Sequence, residues 1–217
     1  LEASISFPKT KVINLGSSCI YPLDAPNPLK ESSIMTGKLE PTNLPYAMAK
    51  LSAIEIGDAI SKELGHNIKN LMPTNLYGPN DHFSANDSHV IPGLIFRMHK
   101  AKINQESIFK IWGSGKPLRE FLYVDDLADA IKTIIEQEPK ENIINVGSGK
   151  EVSINELAKL IQKTINYEGS LEFDSSMPDG NPRKLLDSKT IMNLGWSPKF
   201  DLEEGLNITY NWFLENN

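Results

Sequence analysis

"KVINLGSSCIYP", Lys11–Pro22, decides how this chain is read. A short β-rich run ends in Gly16-Ser17-Ser18, and Cys19, the only cysteine, follows at once. An apolar run that breaks at Gly and Ser reads as a buried strand reaching a loop. The pattern recurs downstream. "NIKNLMPTNLYGPN" (67–80) is a second buried strand running into a Pro/Asn/Gly loop, and "NIINVGSG" (142–149) is a third.

Helical patterns separate these strands. Pro45 to Leu64 reads as a long helix, with Pro in its first turn and Gly65 as its stop. Further helices are predicted near 91–102, from an Asp125 cap to about Gln137, and over 154–165 behind a Ser153 cap. Glu2–Phe7 reads as the tail of a helix. "FKIWGSGKPLREFLYV" (109–124) reads as two short strands around a Gly-Ser-Gly turn. A strand near 171–173, a Pro/Gly loop and two closing helices complete the chain. Tyr21 to Pro45 is a long Pro-, Asn- and Ser-rich loop, and loops of that length in compact domains are usually functional. Alternating strands and helices imply an α/β protein with a mostly parallel sheet. Ligands of such sheets sit beyond the strands' carboxyl ends. "GSSC" and "PTNLYGPN" both lie there, so they are expected to meet at one site.

Composition narrows the partners. The chain has 217 residues and a net charge of −6. An acidic surface argues against nucleic acid and anionic membrane. No apolar run approaches the roughly 20 residues that span a bilayer. One cysteine makes no internal disulfide, which points to a reducing compartment. Only three arginines, Arg97, Arg119 and Arg183, stand among nineteen lysines. An arginine retained in so lysine-rich a chain points to a need for its planar fork.

Tyr46 and Lys50 are four apart on the long helix and share a face. An ammonium beside a phenol favours the phenolate, which turns a tyrosine into a usable acid or base. Strand, serine, then Tyr-x-x-x-Lys resembles the extended short-chain dehydrogenase/reductase superfamily. Seven segments in order carry the resemblance further: "GSSCIYP" (16–22), "LEPTNLPYAMAK" (39–50), "MPTNLYGPND" (72–81), "NDSHVIP" (86–92), "WGSGKPLREFLYVDDLADA" (112–130), "NVGSGKEVSI" (145–154) and "PDGNPRKLLD" (178–187). Together they resemble the GDP-L-fucose synthase family. The sugar-nucleotide dehydratases of the superfamily carry Thr-Asp-Glu after the serine, where this chain has Cys19, Ile20 and Tyr21 behind Ser18.

The resemblance implies a Rossmann-like parallel sheet with a smaller α/β substrate-binding domain. Residues 1–80 would belong to the cofactor domain, with 121–150 and the closing helices returning to it, and 81–217 mostly to the substrate domain. It implies NADP(H) as cofactor and a GDP-linked 4-keto-6-deoxy sugar as substrate, epimerised at C3 and C5 and then reduced at C4. Ser17 and Tyr46 would bind the reacting oxygen, Lys50 would hold the nicotinamide ribose, and Cys19 and His89 would be the acid/base pair. Ser17, Ser18, Tyr46, Lys50, Pro73, Thr74, Asn75, Leu76 and His89 would line the cofactor. Arg97, Trp112, Arg119, Asp179 and Lys184 would hold the nucleotide sugar. A homodimer, a cytoplasmic location and no metal are implied too. The family's opening strand–GxGxxG–helix does not occur in these 217 residues, so the first three βα units are expected to be missing. The alternatives are a non-catalytic or partner-dependent fragment, or another nucleotide-sugar epimerase or reductase of the same superfamily.

Overall fold

The computed structural model describes residues 1–217. In chain order its elements are β1 (Val12–Leu15), α1 (Leu44–Leu64), β2 (Ile68–Pro73), β3 (Asn75–Tyr77), α2 (Val90–Ile103), β4 (Ile108–Trp112), β5 (Leu118–Tyr123), α3 (Val124–Gln137), β6 (Ile143–Val146), β7 (Glu151–Ser153), α4 (Ile154–Ile165), β8 (Ser170–Asp174), β9 (Arg183–Lys184), α5 (Lys189–Asn193) and α6 (Leu202–Asn216).

An all-parallel sheet runs β1-β2-β6, with Leu15 beside Leu71 and Pro73 beside Val146. Its middle strand β2 is buried at every residue but Lys69, as a parallel strand covered on both faces should be. After a single residue, Thr74, the chain leaves this sheet and enters a second one as β3. There β5 is the hub: β3 and β9 pair with it in parallel and β7 antiparallel. β4 pairs only with β8. The two strands flanking Gly113-Ser114-Gly115 therefore sit in different sheets, and that turn closes no hairpin.

α1 begins with Pro45 in its first turn and ends at Gly65 in the left-handed region (φ +67°), whose N–H reaches Ser61 O. It buries Ala47, Leu51, Ile54 and Gly57 and turns Tyr46 and Met48 outward. Gly57 lets the helix lie close on β2, because a Cβ there would sit 3.2 Å from Ile68. α4 carries the Ser153 cap as a full capping box with Glu156. Asp125 does not cap α3. Tyr123 is the cap residue, and Asp125 and Asp126 stand in the first turn, where carboxylates favour the positive end of the helix dipole. Asp126 is buried and accepts from the N–H groups of Lys199 and Phe200. The opening segment is a single 3-10 turn, Glu2–Ser6, rather than the tail of an α-helix.

Three apolar cores hold these layers. The largest unites α2, α4 and α6 against β4 and β5, through residues such as Met98, Leu157 and Phe213. A second packs α3 and Ile191 of α5 on β2 and β6. A third seats Ile20 and Tyr21 against Leu51 and Ile54 of α1. The third fixes the stretch that opened the sequence: two fully anchored residues follow directly on Cys19.

Candidate active site

β1 ends just before Gly16, which is closely packed on the neighbouring strand. A Cβ on Gly16 would lie 2.5 Å from the Met72 side chain. The backbone then closes a 3-10 turn over Ser18–Ile20, and Ser17 Oγ accepts from the Cys19 N–H at 3.2 Å. Behind the turn, Tyr21 donates from its hydroxyl to Asn145 Oδ1 at 2.5 Å. Burial first, then the Glu31 carboxylate, push the Tyr21 phenol far above its ordinary value. Tyr21 is thus a neutral anchor for the turn and holds Ser17 and Cys19 at the strand's carboxyl end.

Lys50 donates to Leu15 O at 2.7 Å, and its ammonium lies 5.7 Å from the centre of the Tyr46 ring. An ammonium has three N–H bonds, so this backbone contact leaves donors for a ligand. Ser17, Cys19, Tyr46, Lys50 and His89 all line one cavity of about 640 Å³, together with Ser18 and the run Pro73–Leu76. His89 is the cap residue of α2 and makes no side-chain cap bond. The five residues come from three separate places in the chain, and all nine residues expected to line the cofactor gather here.

Arg97, Trp112, Arg119, Asp179 and Lys184 do not line that cavity. They lie outside its lining. The Arg97 guanidinium lies over Phe109 at 5.7 Å and over the exposed Trp112 at 5.8 Å, and burial pulls it below its ordinary value. Asp179 accepts from Ser114 N at 2.6 Å and from Ser114 Oγ at 2.7 Å, and these bonds hold its carboxyl below the usual range. Arg119 donates to Leu118 O at 2.8 Å and pairs in register with Lys184. Lys184 reaches back to the cavity, with Nζ 3.8 Å from Cys19 Sγ. The third arginine is used elsewhere. Arg183 forks onto Glu151, at 2.8 and 2.7 Å, and ties β9 to the strand β7.

Two residues escaped the sequence reading. Asn43 lines the cavity and donates from Nδ2 to Cys19 Sγ at 3.6 Å. Glu120 is fully buried and accepts from Gly149 N at 2.7 Å and Leu186 N at 3.0 Å. Its backbone carbonyl accepts from Thr74 Oγ1 and Asn75 Nδ2. It therefore braces the Pro73–Leu76 wall from behind. A glutamate inside the otherwise apolar "EFLYV" was the available signal. Burial raises the Glu120 carboxyl above its ordinary value. A raised acid stabilises the fold below its unfolded value, about 4.3, and loses that contribution as pH climbs through the folded value. Glu120→Gln removes this slope. Relative to wild type, the variant's melting temperature is expected to rise between pH 4 and pH 7, and an unchanged difference would contradict it.

No group of three or more His, Cys, Asp or Glu side chains is arranged so that it could hold a metal ion. Neither glycine pair opens a helix: Gly147-Ser148-Gly149 joins β6 to β7, and Gly113-Ser114-Gly115 leads from β4 to β5. No helix is long and apolar enough to cross a membrane.

Residues 1–147 match the model of the NAD dependent epimerase/dehydratase family. The chain belongs to that family. Within it, the chain groups with the GDP-L-fucose synthases. It is 46% identical over its whole length to GDP-L-fucose synthase of Sinorhizobium fredii, covering 69% of that protein. It is 49% identical over 95% of its length to GDP-L-fucose synthase 1 of Arabidopsis thaliana, covering 64% of that protein. The chain thus spans under two thirds of the length of that plant relative. In three dimensions it is similar to a GDP-L-fucose synthetase from Naegleria fowleri bound to NADP, with a TM-score of 0.91 and 30% identity over 99% of this chain and 69% of that one. An α/β fold of the Rossmann type is common to this epimerase family member and its neighbour.

Proposed function

We propose that the chain carries the reaction centre for converting GDP-4-keto-6-deoxy-D-mannose to GDP-L-fucose with NADPH. The observation that carries this reading is the gathering of Ser17, Cys19, Tyr46, Lys50 and His89 on one cavity. A ketone at C4 makes the hydrogens at C3 and C5 acidic, because the enolate spreads the charge onto oxygen. Inverting those centres takes one group that removes a proton and another that returns one to the opposite face. A thiol and an imidazole suit these two roles, since both exchange protons near neutral pH. Ser17 Oγ accepts from the Cys19 N–H, which leaves its own hydroxyl hydrogen for the C4 oxygen. Tyr46 delivers the proton that this oxygen takes up when the carbonyl is reduced. Lys50, steadied on Leu15 O, directs its remaining N–H bonds to the ribose and the Tyr46 side.

The donor set fits the nicotinamide end of the cofactor: an ammonium, a phenol and a serine face the Pro73–Leu76 wall. Bound there, NADPH supplies the hydride to C4. Arg97, Trp112, Arg119, Asp179 and Lys184 would hold the nucleotide sugar. A flat aromatic under a guanidinium offers a face to a base, and Arg119 offers a fork to a diphosphate. The division into a cofactor part (1–80, with 121–150 and the closing helices) and a substrate part (mostly 81–217) belongs to the same proposal. So does a homodimer through α1, supported by the exposed Met48 and Ile56 on that helix. A cytoplasmic setting suits the single free thiol.

The test is isotopic. Incubated with the keto sugar in D2O, the protein is expected to place deuterium at C3 and C5. Cys19→Ser is expected to slow this exchange by about 10²–10⁴-fold, the range of general acid–base catalysis, with little change in GDP-sugar binding. Undiminished exchange in Cys19→Ser would remove the thiol from the reaction.

A further inference from the structure

Two donors converge on the Cys19 sulfur from opposite ends of the chain. Asn43 Nδ2 stands 3.6 Å from Sγ and Lys184 Nζ 3.8 Å from it. Both are within the longer reach of hydrogen bonds to sulfur. The Asn43 contact is informative because of what Asn43 forgoes. It occupies the cap position of α1, where asparagine is among the preferred residues, yet its side chain makes no cap bond. The amide turns to the thiol instead. Lys184 is informative because of where it comes from. It lies in a two-residue strand held on β5 by register with Arg119 and by the Arg183–Glu151 fork next door. Leu186, two residues on, is buried and anchored to Glu120. Lys184 makes no salt bridge in this structure. Its ammonium has no carboxylate partner, and its side-chain hydrogen bond is to the thiol.

We propose that Lys184 and Asn43 are positioning residues for Cys19, donating to its sulfur so that it is held in the cavity to exchange a proton with a substrate carbon. Donors to a sulfur favour the form that accepts, and a cation beside it does so most strongly. Lys184 then acts on the proton-transfer side of the site as well as among the nucleotide-sugar residues. The inference rests on the role given to Cys19 above.

The chain's single cysteine makes the test unambiguous, because one alkylation event reports one site. Neutral iodoacetamide at pH 7 is the probe, since an uncharged reagent is not steered by the loss of a lysine charge. Without substrate present, Lys184→Gln is expected to alkylate about tenfold more slowly than wild type and Asn43→Ala about two- to threefold more slowly, whereas Lys184→Arg, which keeps the charge, restores most of the rate. Asn43→Ala removes no helix cap, so its rate is read on an intact fold. Equal rates in wild type, Lys184→Gln and Asn43→Ala would overturn the proposal, and so would an arginine that fails to restore a slowed rate. A lysine that only gripped substrate would leave alkylation of the free protein unchanged. The two readings fail separately: equal alkylation with exchange still lost in Cys19→Ser sinks only the positioning role, and exchange that survives Cys19→Ser sinks the reaction itself.

Discussion

Tyr46→Phe is expected to lower reduction of the 4-keto sugar by about 10²–10⁴-fold, while deuterium exchange at C3 and C5 continues. The reason is a division of labour within one cavity. Exchange needs only the thiol, the imidazole and a polarised ketone, and Ser17 can still donate to the C4 oxygen. Reduction creates an alkoxide at that oxygen, which must be protonated as it forms, and Tyr46 is the exposed hydroxyl on the wall beside Lys50. Loss of a positioned acid costs a rate factor of that order. The measurement pairs NADPH consumption, followed by its absorbance, with deuterium analysis of the recovered sugar in the intact protein. A variant that loses exchange and reduction equally would show that Tyr46 serves binding and not proton delivery.

The second large effect is structural and reaches the site through α2. Phe213 is 2% exposed and sits among four aromatic rings, with ring centres 5.0 Å from Phe83, 5.1 Å from His99, 6.1 Å from Tyr210 and 6.3 Å from Phe96. Phe96 and His99 belong to α2, and Phe83 lies in the loop that leads to His89 at the start of that helix. Truncating a buried Phe costs about 3–5 kcal/mol. At roughly 2–4 °C per kcal/mol for a chain of this size, Phe213→Ala is expected to lower the melting temperature by about 6–20 °C. Cys19 is anchored by a different core, through Ile20 and Tyr21. Its alkylation rate well below the melting transition is therefore expected to stay at the wild-type value. A loss of less than about 2 °C would mean that the aromatic cluster repacks around the cavity, and calorimetry decides it.

Much of the fold was legible in the chain because its signals are local. Pro45 and Gly65 punctuate α1, Ser153 with Glu156 announces α4, and the runs before Gly16 and Thr74 are strands as expected, but only the second is buried: β1 is an edge strand whose residues stay partly or fully exposed. Where signals were local but ambiguous, the expected boundary differed by two residues. Asp125 is a good cap residue and a good first-turn residue, and only the extended backbone of Tyr123 (φ −66°, ψ 140°) decides between them. The two strands around Gly113-Ser114-Gly115 were legible, but not that they lie in different sheets, because sequence cannot say that β4 finds its partner in β8.

The sequence by itself determined which residues could do chemistry, through the seven ordered segments of the family resemblance: Ser17, Cys19, Tyr46, Lys50 and His89 all reach one cavity. What only the tertiary structure decided is what surrounds them. Lys184 meets Cys19 across 165 residues of chain, and Glu120 ties the Pro73–Leu76 wall to Gly149 and Leu186. Strand and helix signals arise from neighbours a few residues apart and survive in any short window. A donor to a thiol, or a partner for a buried carboxylate, is set by how sheets and cores pack, and no spacing in the sequence encodes that distance.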